Sequence, residues 1–125
     1  MARPTVYIIQ EPLKRDLSTG EMIPTMDFRK VLDYGDPVVL LNSGRVSLSP
    51  GPTVDMLRDK LRNFTDEDFL VSVGDPSAIF IAAMVVGEVN RGRCQLLKWD
   101  KNSKQYITVQ IDLHHHRRNA IEKEN

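Results

Sequence analysis

The chain has 125 residues, 41% of them apolar and 27% charged, and its 17 Lys and Arg balance its 17 Asp and Glu. That length closes one hydrophobic core, which argues against two domains, and the composition is that of an ordinary soluble globular protein. No apolar stretch is long enough to cross a bilayer, and the opening MARPTVYIIQEP is too short an apolar run for a secretory signal, so the expectation is a cytoplasmic protein with no membrane partner.

Thr5 to Gln10 reads as a strand that Pro12 soon ends. From Leu13 to Thr25 the residues Ser18-Thr19-Gly20 and Pro24 predict a long loop, and Lys14 to Thr25 is a candidate contact surface because loops of this length tend to carry function. Asp27 is placed to cap a short helix through Tyr34, with Phe28, Val31 and Leu32 on one face and Gly35 ending it. Asp36-Pro37 then opens a strand over Val38 to Leu41. In SLSPGPTVDMLRDKLRNF, the spacing of Val54, Leu57, Leu61 and Phe64 predicts a second helix. Its outer face carries Asp55, Arg58, Asp59, Lys60 and Arg62, with Asp55–Arg58 and Asp59–Arg62 as opposite-charge pairs on a solvated surface. An acidic turn, Thr65 to Asp68, leads into a strand at Phe69.

The stretch from Phe69 to Leu113 has a start or stop signal at nearly every joint. Asp75 followed by Pro76 is a strong helix start, since the carboxylate can accept from backbone N–H groups and Pro at the first helical position loses no hydrogen bond. Ala78 to Val89 is apolar around most of the cylinder, which predicts a core helix covered on several sides. Asn90 and Gly92 supply residues that tolerate a left-handed conformation, so the helix should stop near Asn90. Cys94 to Trp99 and Tyr106 to Leu113 read as strands joined by a turn at Asp100-Lys101-Asn102-Ser103. A strand, a crossover helix and a strand in one sheet are parallel and right-handed, whereas a tight turn gives an antiparallel partner. The fold expected is therefore a single α+β or α/β domain over residues 1–113, with a mixed sheet of about five strands, two main helices and a C-terminal β-hairpin, followed by a polar His/Arg tail over 114–125.

Four chemical readings arise. Gly74-Asp75-Pro76 lies at a strand-to-helix turn of the kind that binds phosphate, but no Gly-rich loop or Lys-Ser/Thr pair accompanies it and Asp75 places negative charge where an anion would sit, so capping is the favoured reading. A nucleotide-binding protein or small enzyme using this helix start is the alternative it leaves. His114-His115-His116 are the only histidines; on an extended segment His114 and His116 would point the same way, with Asp112 on their side, making them weak metal candidates. The third reading is electrostatic: residues 1–90 hold nine Lys/Arg against thirteen Asp/Glu, whereas residues 91–118 hold seven against two. Arg91, Arg93, Lys98, Lys101, Lys104, Arg117 and Arg118, with Trp99 and Tyr106 among them, could form a basic surface with aromatic platforms for single-stranded nucleic acid. Protection of a sheet edge is the plainer explanation. The fourth concerns Cys94, which reads as a packed thiol and agrees with a reducing compartment.

A hydrolase triad needs a base, and the only histidines sit in the terminal tract, so no enzymatic constellation and no cofactor is expected. The succession of VYIIQEP, GDPSAI and LLKWDKNSKQYITVQIDL resembles small proteins encoded by tailed bacteriophages of marine and soil bacteria. The resemblance covers most of the chain apart from the His/Arg tail. It implies a phage accessory protein in an infected bacterial cytoplasm, and brings neither an activity nor functional residues. The reading is thus a non-enzymatic accessory or regulatory protein that binds a protein or a nucleic acid, the alternative being a virion or assembly component forming homo-oligomers through paired strand edges.

Overall fold

A computed structural model describes residues 3–24 and 28–115. Among the described residues there are seven strands: β1 (Thr5–Gln10), β2 (Leu13–Arg15), β3 (Met22–Pro24), β4 (Asp36–Leu41), β5 (Phe69–Val71), β6 (Arg93–Asp100) and β7 (Gln105–Asp112). The helices are α1 (Gly51–Leu61) and α2 (Pro76–Val89), and a 3-10 turn covers Arg29–Asp33. Five strands form one mixed sheet in the order β4-β1-β5-β6-β7. The first four are parallel, and β7 returns antiparallel to β6 in an unbroken register from Arg93 opposite Asp112 to Asp100 opposite Gln105. This is the single α+β domain with a C-terminal hairpin that the element order implied.

Alternation along the strands divides the core in two. Tyr7, Ile9, Leu40 and Leu70 point to the face covered by α1 and α2, where they meet Leu57, Leu61, Ala78, Ala82, Val85 and Val86. Val6, Ile8, Val71, Leu97 and Tyr106 point to the opposite face, closed by Val31 of the 3-10 turn. The connection from β1 to β4 moves one way along the sheet, and those through α1 and α2 move the other way. Right-handed crossovers then require the two sets to lie on opposite faces, as they do.

Several local expectations are corrected. The predicted loop over Leu13 to Thr25 contains an antiparallel ribbon, with Lys14 opposite Ile23. Its turn is held by Asp16, whose carboxylate accepts from the backbone N–H and hydroxyl of Ser18, and the ladder bond this ribbon makes was hidden in the sequence because three-residue strands carry no periodicity. Asp27, the expected helix cap, lies outside the described residues. The segment after it is a 3-10 turn, and its three-residue repeat superposes Phe28 and Val31 while turning Leu32 outward, about half exposed. On α1, Asp59 pairs with Arg62 at 3.1 Å, but Arg58 reaches across to α2 and grips Glu88 with two bonds of 3.0 and 3.1 Å. After α2, Asn90 keeps a negative φ, and the left-handed positions are Arg91 and Gly92.

The largest correction concerns α2. It was expected to be covered on several sides, yet Phe80 is 71% and Met84 74% exposed, with Ala83 exposed beside them. Both long helices lie on one face of the sheet, so among the described residues there is no third layer to cover the outward side of either.

Candidate functional site

In open parallel sheets, ligands enter where the chain reverses direction, beyond the C-terminal ends of the strands. Here that point lies between β1 and β5, and the side chain of Gln10 fills it. Gln10 ends β1, is 4% exposed, and donates from Nε2 to the carbonyl oxygens of Asn42 (2.6 Å) and Gly44 (2.7 Å). Its Oε1 accepts from the backbone N–H of Asp75 at 2.7 Å. One carboxamide thus ties the first strand to the loop after β4 and to the start of α2. Gly74 accommodates it: φ is +129°, and a Cβ there would stand 2.5 Å from Cβ of Gln10. The Asp75 carboxylate was expected to cap α2. It makes no capping bond and instead accepts from the Val46 N–H at 2.8 Å, bracing the same loop from the other side. Outside this brace lies an open hollow of about 540 Å³ bordered by Gln10, Ser43, Gly44, Arg45 and Asp75.

The proposed basic surface is distributed along β6 and its turns. Side-chain alternation puts Arg93 and Trp99 on one face and Lys98 on the other. Arg91 and Arg93 stand at the start of β6, Lys101 and Lys104 beyond its end, roughly 25 Å away at about 3.3 Å per residue. Arg93 is joined to Asp66 at 3.0 Å. Trp99 and Tyr106 meet edge to face at 5.1 Å, and Tyr34 joins them against Tyr106 and Phe69. Tyr106 is 5% exposed, so its ring belongs to the second core. Lys30 sits over Trp99, 5.5 Å from the ring centroid, and donates to the Lys104 carbonyl at 2.9 Å. The structure therefore brings Lys101, Lys104 and Lys30 to one end of the hairpin and leaves Arg91, Arg93 and Lys98 apart from them. Arg117 and Arg118 lie outside the described residues.

The histidine tract begins differently from its expected extended form. β7 ends at Asp112, whose carboxylate accepts from the backbone N–H of His114 at 2.9 Å, and Nδ1 of His115 lies 3.2 Å from the Asp112 carbonyl. The chain turns there, so His114 does not continue the strand alternation from Asp112. His116 lies outside the described residues, and among the described residues no group of three or more His, Cys, Asp and Glu is placed to hold a metal. Cys94 packs under α2 against the first core, and burial pushes its thiol pKa up to about 11.

The outer side of α2 is the feature that sequence reasoning missed. Phe80, Ala83, Met84 and Gly87 follow at three- and four-residue spacing and so form one stripe. The single charge on the helix, Glu88, is engaged with Arg58. Beside α2, on the same face of the sheet, Ile107 and Ile111 of β7 are each 41% exposed. The signal was available in the element order: two long helices side by side on one face, the two among the described residues, cannot enclose the outer half of an all-apolar one.

The profile of a family described as phage Pam3 gp32-like protein matches residues 4–113, from just before β1 to just after β7. The chain belongs to that family. It is a phage protein by this membership, as the resemblance implied. No curated protein and no solved structure matches it. Among the described residues, no helix of this family member is long and apolar enough to cross a membrane.

Proposed function

We propose that this phage protein is a non-enzymatic accessory factor of the infected bacterial cytoplasm that works by binding another protein through the outer stripe of α2. The observation that carries the reading is the exposure of Phe80 and Met84 on a helix with one charged residue. Large apolar side chains aligned on a helix face and left in water mark contact surfaces, and aromatic and Met residues are the types enriched at such surfaces. The brace at Gln10 supports a binding role over a catalytic one, since the polar groups that converge there are spent on one another. The spread of cations along β6 favours a protein over a nucleic-acid partner, because phosphate contacts need charges gathered along one track.

A photo-crosslinking amino acid placed at Phe80 in phage-infected cells tests this. One discrete protein adduct is expected from position 80 and none from Leu17, which is fully exposed in the turn between β2 and β3. Equal labelling from both positions, or adducts to nucleic acid, contradicts the reading. A titration with single- and double-stranded oligonucleotides completes the test. Tight binding at low salt that Lys98, Lys101 and Lys104 changed together to Glu abolish would move the function to the hairpin.

A further inference from the structure

On its helix-bearing face the sheet ends in a step. α2 touches β1 and β6, the strands on either side of β5, so it lies along β5. β7 stands two strand spacings from β5, roughly 10 Å at about 4.8 Å each. Packed helices lie about 8–10 Å apart, so a helix seated beside α2 would be centred over β7. Among the described residues no helix or strand occupies that place. Ile107, Val109 and Ile111 form the floor of the step, since Val109 and Ile111 oppose Leu96 and Cys94 of the core under α2. The wall is the flank of α2 that carries Ile79 and Ala83, with Phe80 on its shoulder, because the opposite flank lines the cleft with α1 through Ile81, Met84, Val85 and Glu88. Charge marks both ends. Lys98 opposes Ile107 on this face at the hairpin end, and Arg91 stands in the turn at the other. Both are exposed, and among the described residues neither side chain makes a hydrogen bond or salt bridge. Lys101 and Lys104 add to the hairpin end, where the acid of the turn, Asp100, is bonded to Ser103.

We propose that the partner of α2 lays an amphipathic helix with acidic flanks into this step, where it acts as a third helix on that face; the inference rests on the reading of α2 as a protein-binding surface. A helix suits the place and a strand does not, because the surface offered is made of side chains. At the outer edge of β7 the Tyr106 carbonyl already accepts from the Tyr34 hydroxyl, and Nδ1 of His115 lies at the Asp112 carbonyl. An apolar stripe at three- and four-residue spacing packs on Ala83 and Val109, and Ala83 is small enough to let the incoming helix come close. Carboxylates beside that stripe meet Lys98 and Arg91, which no acid of this chain has claimed. The chain's own residues 116–125 fit the step less well: they supply two apolar side chains, Ala120 and Ile121, and Arg117, Arg118 and Lys123 would meet Arg91 and Lys98 with like charge.

Photo-crosslinking amino acids placed at Ile107 and Ile111 of the full chain in phage-infected cells, with the linked peptides sequenced by mass spectrometry, test this. Both positions are 41% exposed and Lys98 is exposed, so the variants leave the core intact. Each is expected to capture the protein that is also captured from Phe80. Ile107 and Ile111 stand roughly 13 Å apart at about 3.3 Å per residue. Their attachment points should therefore lie about nine residues apart in one partner segment, at about 1.5 Å per helical residue, with acidic residues flanking its apolar ones. A spacing of about four residues means a strand and overturns the proposal. Lys98→Glu is expected to cut the yield at all three positions about tenfold, with Lys98→Arg and a Lys14→Glu control near wild type; an unchanged yield in Lys98→Glu overturns the acidic helix. Adducts from Phe80 with none from Ile107 and Ile111 defeat this inference and leave the reading of α2 standing, whereas no discrete adduct from Phe80 defeats both. Links from Ile107 or Ile111 to a second copy of this chain, or to residues 116–125, also overturn it.

Discussion

The C-terminal end of the parallel strands and the flank formed by α2 and β7 reverse the usual division of labour in open α/β sheets. The first is where such sheets leave room for ligands, and here a buried carboxamide closes it with three hydrogen bonds. The second is where the next helix would be packed, and here apolar side chains stand in water. The polar region is therefore structural, and the apolar region is free to act. The contrast shows that neither polarity nor hydrophobicity by itself marks a functional surface: what decides is whether the groups have found partners within the chain.

The sharpest way to break this comparison is at Gly74. Gly74→Ala would force an L side chain into a φ of +129° and against Gln10, and a loss of about 3 kcal/mol or more is expected in urea unfolding. Gln10→Ala comes next, because it leaves the Asp75 N–H and two carbonyls without their partner. A loss of about 2–3 kcal/mol is expected by the same measurement, given about 1–3 kcal/mol for each buried group left unsatisfied and partial rescue by water. A neutral Gln10→Ala would mean that the end of the sheet is open and available to a ligand.

A smaller effect sharpens the view from the α2 side. The Cys94 thiol is raised by burial from 9.0 to about 11, so the folded state holds its proton more firmly than the unfolded state. The associated stability is present below pH 9 and is lost as pH rises through 11. In Cys94→Ala the fall in stability over that window is expected to be shallower than in the wild type, as followed by urea titrations at several pH values. An unchanged slope would show that Cys94 is hydrated and that α2 does not seal the sheet there.

Much of the fold was legible in the residues, and the failures share a physical cause. Asp75-Pro76 marked the start of α2, and the alternation of Ile107, Val109 and Ile111 marked β7, because local rules govern those features. Asp75 capping failed because the carboxylate found the Val46 N–H, a partner 29 residues away. The brace at Gln10 was unreadable for the same reason: its partners lie 32, 34 and 65 residues off. The basic hairpin looked coherent because five of its cations and Trp99 are close in sequence. A strand sends successive side chains to opposite faces, so closeness in sequence separated Lys98 from Arg93 and Trp99. The stripe on α2 was hidden by the assumption that an all-apolar helix is an all-buried one.

The account rests on the outer side of α2 being surface and not core, and paired urea unfolding of two variants tests it most directly. Changing Phe80 and Met84 together to Gln is expected to shift stability by no more than about 0.5–1 kcal/mol, as surface substitutions do, while Gln10→Ala shifts it by the larger amount given above. A loss of several kcal/mol from the Phe80 and Met84 pair, with Gln10→Ala silent, would contradict the account.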